Sequence, residues 1–580
     1  MHRFAPIALW ALVGAAAAAG QVSIRIDRPM PPPAWALQER ALLAAWGDAA
    51  REFAARYLDD RGFLRCVERW GGNDGPDDAM ENFNYFTLVY ALGGPQEVLD
   101  IYRRAWEGHL VQYARARAPS IEMARDGMYY QEFITSFDWE HTGEQLAAFY
   151  SYGLACPTDP AYLARARRFA GSYMNEDPGA PNYDPRYKII RSLHNGSRGP
   201  KLTHASEQDW GGEPVPGDPE RLSRYRTAGN IRGDHPLNLC AATLAMNAYL
   251  LTGERKYRDW LLDYVGAWRG RVLANGGNIP TNIGLDGRIG GEWNGQWYGG
   301  TFGWNFWPAS SSRNYYMRGP HMAFGEAFML TGDPGFLAPL SRQIDNLYNA
   351  ARVANGRVLL PNKYGEKGWY GYTPDQHFDV QRDLYLWSMD PRYLPRLAPD
   401  PWIAYLMGRN PAYPETALAG EFARVRRQMA GMRADPTTPA TRAADDPQRY
   451  NPFAPAVLVN LTLGGNDPGT SGNILHSRLR YFDPERRRAG LPEDVAALVG
   501  EIRPAATVVT LVNTSPVYPR RVIVQMGAYG EHRATAVTFG GKTVPVNGSR
   551  FTVELAPGAG ETLAIAIERY VHQPTLALPW

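Results

Sequence analysis

The stretch Ala248–Trp268, AYLLTGERKYRDWLLDYVGAW, carries the pattern from which the fold can be read. An apolar run ends at Thr252-Gly253, and Tyr257, Trp260, Leu261 and Tyr264 then return at intervals of three and four. That spacing puts the rings and leucine on one side of an α-helix. Gly253 supplies the C-terminal stop of the first helix, and the polar residues after it start the second. The stretch reads as a helical hairpin with a tight turn.

Four other stretches repeat the arrangement. They are YALGGPQEVLDIYRRAWEGHL from Tyr90, YGLACPTDPAYLARARRFAGSYM from Tyr152, AFMLTGDPGFLAPLSRQIDNLYNA from Ala327 and AYLMGRNPAYPETALAGEFARVRRQ from Ala404. The copies are degenerate and unequally spaced, so they predict helical hairpins separated by long loops rather than a regular solenoid. Hairpins set in a ring make an α/α toroid, incomplete or six-hairpin, which the pattern predicts over residues 34–430. The short turns then lie on one face, and the long Gly- and aromatic-rich segments Trp70–Tyr85, Asn182–Asn238 and Asn275–Arg318 line the mouth.

After residue 430 the pattern changes. RADPTTPATRAADDPQRYNPFAP, rich in Pro, Thr and Asp, reads as a linker over 431–452. Beyond it, ATVVTLVNTS, RRVIVQMGAYG, ATAVTFGGK and RFTVELAPGAGETLAIAIERY alternate with strand period between turn residues. They predict an antiparallel β-sandwich over 453–580, with Asn460-Leu-Thr opening an earlier strand. The expected fold class is multidomain α+β. The sandwich buttresses the ring, and a carbohydrate-binding role is open to it.

A chain of 580 residues is too long for one ordinary core. Its net charge of +2 gives no global field for nucleic acid. The first 20 residues, MHRFAPIALWALVGAAAAAG, have a positive start, an apolar run and small residues at the end, the pattern of a secretory signal. No later apolar run is long enough for a membrane span. The expected location is therefore secreted or periplasmic. Cys66, Cys156 and Cys240 allow at most one disulfide and show no zinc spacing. Walker A, GxGxxG, HExxH and nucleophile-elbow motifs are absent, which weakens nucleotide, dehydrogenase, zincin and esterase readings.

With 17 Trp and 33 Tyr, the chain is rich in rings. GGEWNGQWYGGTFGWNFWP, Gly290–Pro308, sets four Trp among six Gly. Helices and strands both lose stability with so many glycines, so a loop that presents rings to sugar faces is expected. Trp293, Trp297, Tyr298 and Trp304 are its candidate stacking residues, with Glu292 among them. SSRNYYMRGPH follows, adding Arg313, Tyr315, Tyr316, Arg318 and His321.

NYDPRYKIIRSLHNGSRGPKLTH, Asn182–His204, is a local basic patch with Arg191, His194, Asn195 and Arg198. It continues into YRTAGNIRGDHPLN with Arg232, Asp234 and His235. Guanidinium forks match carboxylate and sulfate, while a solvated basic loop is the plain alternative. DDAMENFNYF brings Asp77, Asp78, Glu81, Asn82, Asn84 and Tyr85 together, either as a functional cluster or as an acidic first turn of a helix. QEFITSFDWEHTGEQLAAFY crowds Asp138, Glu140, His141 and Glu144 at a helix start, which suits acid–base work, a metal or a cap.

The export signal, hairpins, strand-rich C-terminus and aromatic and basic loops together resemble the α/α-toroid polysaccharide lyases and the related six-hairpin glycoside hydrolases. The resemblance covers most of the chain and is one of architecture. Some toroid lyases use an adjacent Asn–His pair, which stands here in reversed order as His194-Asn195. The resemblance implies a secreted lyase that cleaves an anionic, uronic-acid-containing polysaccharide by β-elimination. Elimination requires neutralisation of the uronate carboxylate, a base and an acid for the leaving oxygen. His194, Asn195, His235, Tyr315, Tyr316 and Arg191 are the candidates, with Trp293, Trp297, Tyr298, Trp304, Arg198, Arg232 and Arg313 binding substrate. A hydrolase would instead use two carboxylates from Asp138, Glu140 and Glu292. A third reading is a glycan-binding protein without catalysis. No cofactor is required by these chemistries, although Asp and His are present to hold a divalent cation.

Overall fold

The computed structural model describes residues 22–67, 77–114, 129–134, 143–191, 233–291, 294–298 and 315–580. Helices fill the N-terminal two thirds, and antiparallel sheets fill the C-terminal part. Among the described residues no sheet closes into a barrel, and no helix is long and apolar enough to cross a membrane.

A short strand, β1 (Ser23–Ile26), precedes the long helix α1 (Ala34–Tyr57). The hairpins follow as a short α2 (Asp77–Glu81), then α3 (Phe86–Leu92) with α4 (Gln96–Ala114). Two miniature hairpins, β2 (Tyr129–Tyr130) with β3 (Phe133–Ile134) and β4 (Tyr183–Asp184) with β5 (Ile189–Ile190), flank α5 (Leu146–Ala155) and α6 (Pro160–Gly171). Next come α7 (Ala242–Thr252), α8 (Arg255–Ala274), α9 (Tyr315–Thr331) and α10 (Ala338–Asn349). The helical part ends with α11 (Phe378–Ser388), α12 (Pro401–Leu406) and α13 (Tyr413–Arg433).

The expected turns form. Gly253 closes α7 at φ 69°, the left-handed conformation that favours glycine. Asp159 caps α6 by accepting from the backbone N–H groups of Ala161 and Tyr162, with Pro160 at the first helical position. Within each hairpin the two helices differ. Every residue of α3 and α5 is buried, whereas α8 buries one face through Tyr257, Leu261, Tyr264, Val265, Trp268 and Val272. Inner helices buried all round must satisfy their polar groups internally. Thr87 of α3 donates to Ala148 O at 2.8 Å, and Thr243 of α7 bonds Glu326 of α9 at 2.5 Å. The inner helices pack in order, α3 on α5, α5 on α7 and α7 on α9, and α13 packs on α1.

Asp234 anchors the entry to α7. Its carboxylate accepts from Tyr264 Oη at 3.0 Å, Trp268 Nε1 at 3.0 Å, Asn238 Nδ2 at 2.9 Å and the N–H groups of His235 and Ile190. Burial raises its carboxyl to about 6 despite these donors.

A three-stranded sheet interrupts the helices, formed by β6 (Arg352–Ala354), β7 (Arg357–Gly365) and β8 (Gly368–Thr373). The C-terminal strands are β9 (Leu479–Asp483), β10 (Arg488–Ala489), β11 (Val495–Arg503), β12 (Ala506–Asn513) and β13 (Arg520–Met526). They continue with β14 (Arg533–Phe539), β15 (Lys542–Gly548), β16 (Arg550–Leu555) and β17 (Gly560–Glu568). One five-stranded sheet runs β1-β16-β13-β9-β10 and the other β11-β12-β17-β14-β15. Strand β1 joins parallel to β16, Ile24 opposite Val553, so the start of the described chain is tied to the C-terminal sheets.

Two expectations are corrected. Asn460-Leu-Thr does not open a strand, because Val459–Leu463 form a single π turn. Thr462 Oγ1 bonds back to Leu458 O at 2.7 Å and supports helical backbone there. The stretch after Arg433 is a packed strap rather than a loose linker. Arg442 is buried and donates to Arg65 O at 2.7 Å, while Asp435 accepts from Tyr57 Oη at 2.9 Å. All three cysteines are free.

The helical part meets the sheets through arginines. Arg488 donates to Tyr90 O and Gly94 O at the end of α3, at 2.9 and 2.7 Å. Arg480 donates to Leu154 O in the last turn of α5 and to Ala528 O. Arg478 and Arg569 both reach Leu386 O of α11, and Arg569 also reaches Trp387 O. The C-terminal tail does the same work with Leu576 N to Leu250 O of α7 and Gln573 Nε2 to Leu330 O of α9. The last carbonyls of a helix lack intrahelical partners and carry partial negative charge, so guanidinium groups suit them. At the α3 contact the backbones nearly touch, and a Cβ on Gly490 (φ 97°) would lie 2.3 Å from Gly93 N.

Replacing Arg480 by Met is expected to orphan the buried Leu154 carbonyl at about 1–3 kcal/mol, while Ala528 O keeps its bond from Gln525 Nε2. The urea midpoint should fall with unchanged slope, and Arg480→Lys should restore little because one ammonium cannot reproduce the fork.

Candidate active site

A cleft of about 880 Å³ opens among the first halves of the inner helices. The α2–α3 segment contributes Asp78, Glu81, Asn84 and Tyr85, and Glu144 stands just before α5. Helix α9 contributes Arg318 and His321, and the approach to α11 with its first two turns contributes Asp375, His377, Asp379, Arg382 and Asp383. Arg424 of α13, Gln448 and Asn451 of the strap, and the loop around Asn466 and Asp467 complete it.

Three pairings organise this wall. His321 Nε2 lies 2.9 Å from Asp383 Oδ2, and Asn466 Nδ2 donates to Asp383 Oδ1 at 2.5 Å. Burial opposes charge on the imidazole, but the hydrogen bond and charge of Asp383, with Asp379 beyond, raise it above its ordinary value. His476, which burial lowers to about 4, faces the same dyad. Tyr85 Oη donates to Asp467 Oδ2 at 3.0 Å, and Gly469 N donates to the same oxygen at 3.2 Å. Burial, then the charge of Asp467, holds the Tyr85 phenol protonated well above its usual range. Burial also raises Asp467, and the charge of Asp383 adds to the rise, so the two pairs sense each other.

The third pairing is acidic. Asp77, Glu81 and Glu144 each bring a carboxylate oxygen within 4.8 Å of the others. Arg318 Nη2 meets Glu144 Oε1 at 3.0 Å, and Gln448 Nε2 donates to Glu81 Oε2 at 2.6 Å. Burial, then the charges of Glu144 and Asp77, raises Glu81 well above the carboxylate range.

Tyr85 sits at φ 74°, a left-handed conformation uncommon for a bulky side chain. Asn451 Nδ2 holds the preceding turn by donating to Asn82 O and Asn84 O at 3.1 and 3.0 Å. Such strain persists only where the surroundings over-determine it, and it clusters at functional sites.

The residues expected from sequence divide into three groups. His194, Asn195, Arg198, Arg232, Trp293, Trp304, Arg313, Asp138, Glu140 and Glu292 lie outside the described residues, as does the stretch 1–20 expected to be a secretory signal. Tyr315 and Tyr316 begin α9, but their side chains lie outside the described ones. The other four are described. His235 is buried beside Asp234, with burial pushing its imidazole to about 3, and is not among the cleft-lining residues. Arg191 donates to Pro181 O at 2.8 Å, next to β5, also away from that lining. Trp297 and Tyr298 pack against Tyr364 of β7, with centroids 4.5 and 5.2 Å away, and Trp369 of β8 joins them.

Asp78, Glu81, Asn84 and Tyr85 of the DDAMENFNYF stretch do come together with Glu144, Arg318 and His321 in the cleft. Sequence reasoning passed over TPDQHFDVQRDLY, where Asp379 and Asp383 are four apart on one helix face beside His377. It also passed over GGNDPGTSGN, a polar Gly-rich loop holding Asn466 and Asp467.

No curated protein matches the chain. Residues 23–215, 214–383 and 396–459 match a family described as a domain of unknown function, DUF8034. Those ranges hold the α2–α3 cluster, Glu144, Arg318, His321 and Asp383, while Asn466 and Asp467 fall beyond them. The match runs over well more than half of the sequence, and the chain belongs to the DUF8034 family.

Proposed function

We propose that this is an exported polysaccharide lyase that works on a uronic-acid-containing glycan in the cleft. The observation that carries the reading is the pair of acid–base couples joined by consecutive residues, His321–Asp383–Asn466 and Asp467–Tyr85, beside Arg318. His321, made more basic by Asp383, takes the proton α to the carboxylate. Tyr85, held protonated, donates to the departing sugar oxygen. Arg318, with Arg382 and Arg424 on the same wall, meets the uronate charge. The Trp297–Tyr298–Tyr364–Trp369 cluster offers sugar-stacking rings, and β8 leads within two residues to Asp375 of the cleft. The ordered packing of inner helices, with α13 back on α1, supports a toroid, and the paired five-stranded sheets support a sandwich.

A second reading, glycoside hydrolysis, is favoured by the close approach of Glu81 and Glu144. Retaining glycosidases place two carboxyl groups about 5–5.5 Å apart. Incubation with alginate, glucuronan, ulvan, pectin and glycosaminoglycans separates the chemistries. A rise in short-wavelength ultraviolet absorbance reports the C=C bond of elimination. New reducing ends without that rise report hydrolysis, and binding without either reports a glycan-binding protein.

On the substrate that responds, His321→Asn and Tyr85→Phe should each lower kcat by roughly 10²–10⁴-fold while the protein stays folded and binds polymer. Near-native rates in either variant would remove that residue from the mechanism. The base must be unprotonated, and its affinity for the proton is raised, so kcat/KM should climb with pH through an apparent value above that of free imidazole. Asp383→Asn withdraws the negative charge and should move that acidic limb to lower pH. A limb that stays in place would assign it to another group.

A further inference from the structure

We infer that Asp77, Glu81, Glu144 and Asn84 form a binding site for a hard divalent cation of the calcium and magnesium class, with Glu81, Glu144 and Asn84 on the cleft wall and Asp77 behind them in the core. Three carboxylate oxygens within 4.8 Å of one another match the size of a cation's coordination shell, and among the described residues no nitrogen or sulfur ligand stands with them.

Acidic residues alone make no site, but the amides beside them point the same way. Asn84 is 3% exposed, lines the cleft, and neither its Oδ1 nor its Nδ2 has a hydrogen-bond partner. Asn82 is fully buried, and its Nδ2 is spent on Asp78 O, Ala79 O and Ala444 O while its Oδ1 has no partner. Buried polar groups in native proteins are almost always satisfied, and an ion is one of the few explanations for those that are not. A carboxamide oxygen is also a normal ligand of such cations.

The geometry of the four residues follows from a short segment. Asp77 and Glu81 stand one turn apart on α2, Asn84 follows in the turn that Asn451 holds, and Glu144 arrives from the start of α5. The site does not rest on the lyase reading, and it is tested without substrate. If that reading holds as well, a cation here adds to the neutralisation of the uronate carboxylate.

The test uses the full mature chain stripped with EDTA. Calcium chloride and then magnesium chloride are titrated by calorimetry, and terbium luminescence sensitised by nearby rings gives a second readout. One equivalent should bind, and the thermal midpoint should rise with cation concentration, because a ligand that binds only the native state stabilises it by mass action. Glu144→Gln, at a half-buried position, and Asn84→Ala should each weaken binding by roughly tenfold or more. Asp77→Asn is the stronger lesion but sits in the core, so its folding is checked by circular dichroism before it is read. A folded wild-type chain that gives neither heat nor a shift in midpoint at millimolar calcium or magnesium overturns the site. Binding that survives in the Glu144→Gln and Asn84→Ala variants overturns it equally, by placing the cation elsewhere.

Discussion

The structure depends on how the inner helices end. Helices α3, α5 and α11 deliver their last carbonyls to Arg488, Arg480, Arg478 and Arg569 of the sheets. Burial lowers Arg478 to about 9 and Arg480 to about 10, so these cations are held at a cost in solvation. The cost is offset where a guanidinium satisfies a carbonyl at a buried helix end, as Arg480 does at Leu154 O and Arg569 at Trp387 O. Apolar packing alone would let a helix rotate or slide against a sheet. A forked donor aimed at named carbonyls fixes both the direction and the depth of the helix.

Fixing the C-terminal ends in this way sends the N-terminal halves to the other side, where the cleft lies. Helix N-termini carry partial positive charge. That polarity helps explain how one wall gathers eight carboxyl side chains against three arginines and two histidines. Asp379 sits in the first turn of α11, and Glu144 stands just before α5. The acids that lie deeper are held by specific partners, as Asp383 is by His321 and Asn466. The same arrangement keeps the turn after α3 against the sheets, where Gly93 meets Gly490.

Much of this was legible in the sequence. Gly253 and the three-and-four spacing after it announce a hairpin because helix period and a left-handed stop are local properties. The alternation in β12 and β17 is equally local. Other features are not local. Strand β1 has no alternation long enough to be recognised, and it is a strand because β16 offers it an edge. The strap after Arg433 has linker composition, yet its Asp435, Arg442 and Asn451 find partners on α1, at Arg65 beyond it and in the α2 turn. At the site, His235 looked reactive by residue type and by its place in a basic loop. It is buried next to an aspartate that organises α7 and α8, and no single sequence shows that. His321 and Asp383 are 62 residues apart, and only packing of α9 near α11 makes them a pair.

The sheets also do more than brace the helices. The chain leaves the π turn at Gly464, and the loop beyond it enters the cleft before β9 begins. Asn466 bridges to His476 in the backbone, and Trp387 packs its ring against both His476 and His321. Trp387 also supplies a carbonyl that Arg569 holds. One residue of α11 therefore connects the arginine-capped helix end to the histidine of the cleft. A shift in the docking of α11 on the sheets moves Trp387, and with it the packing that orients His321 toward Asp383. The contact that holds the domains together and the contact that tunes the imidazole are thus two ends of the same short helix.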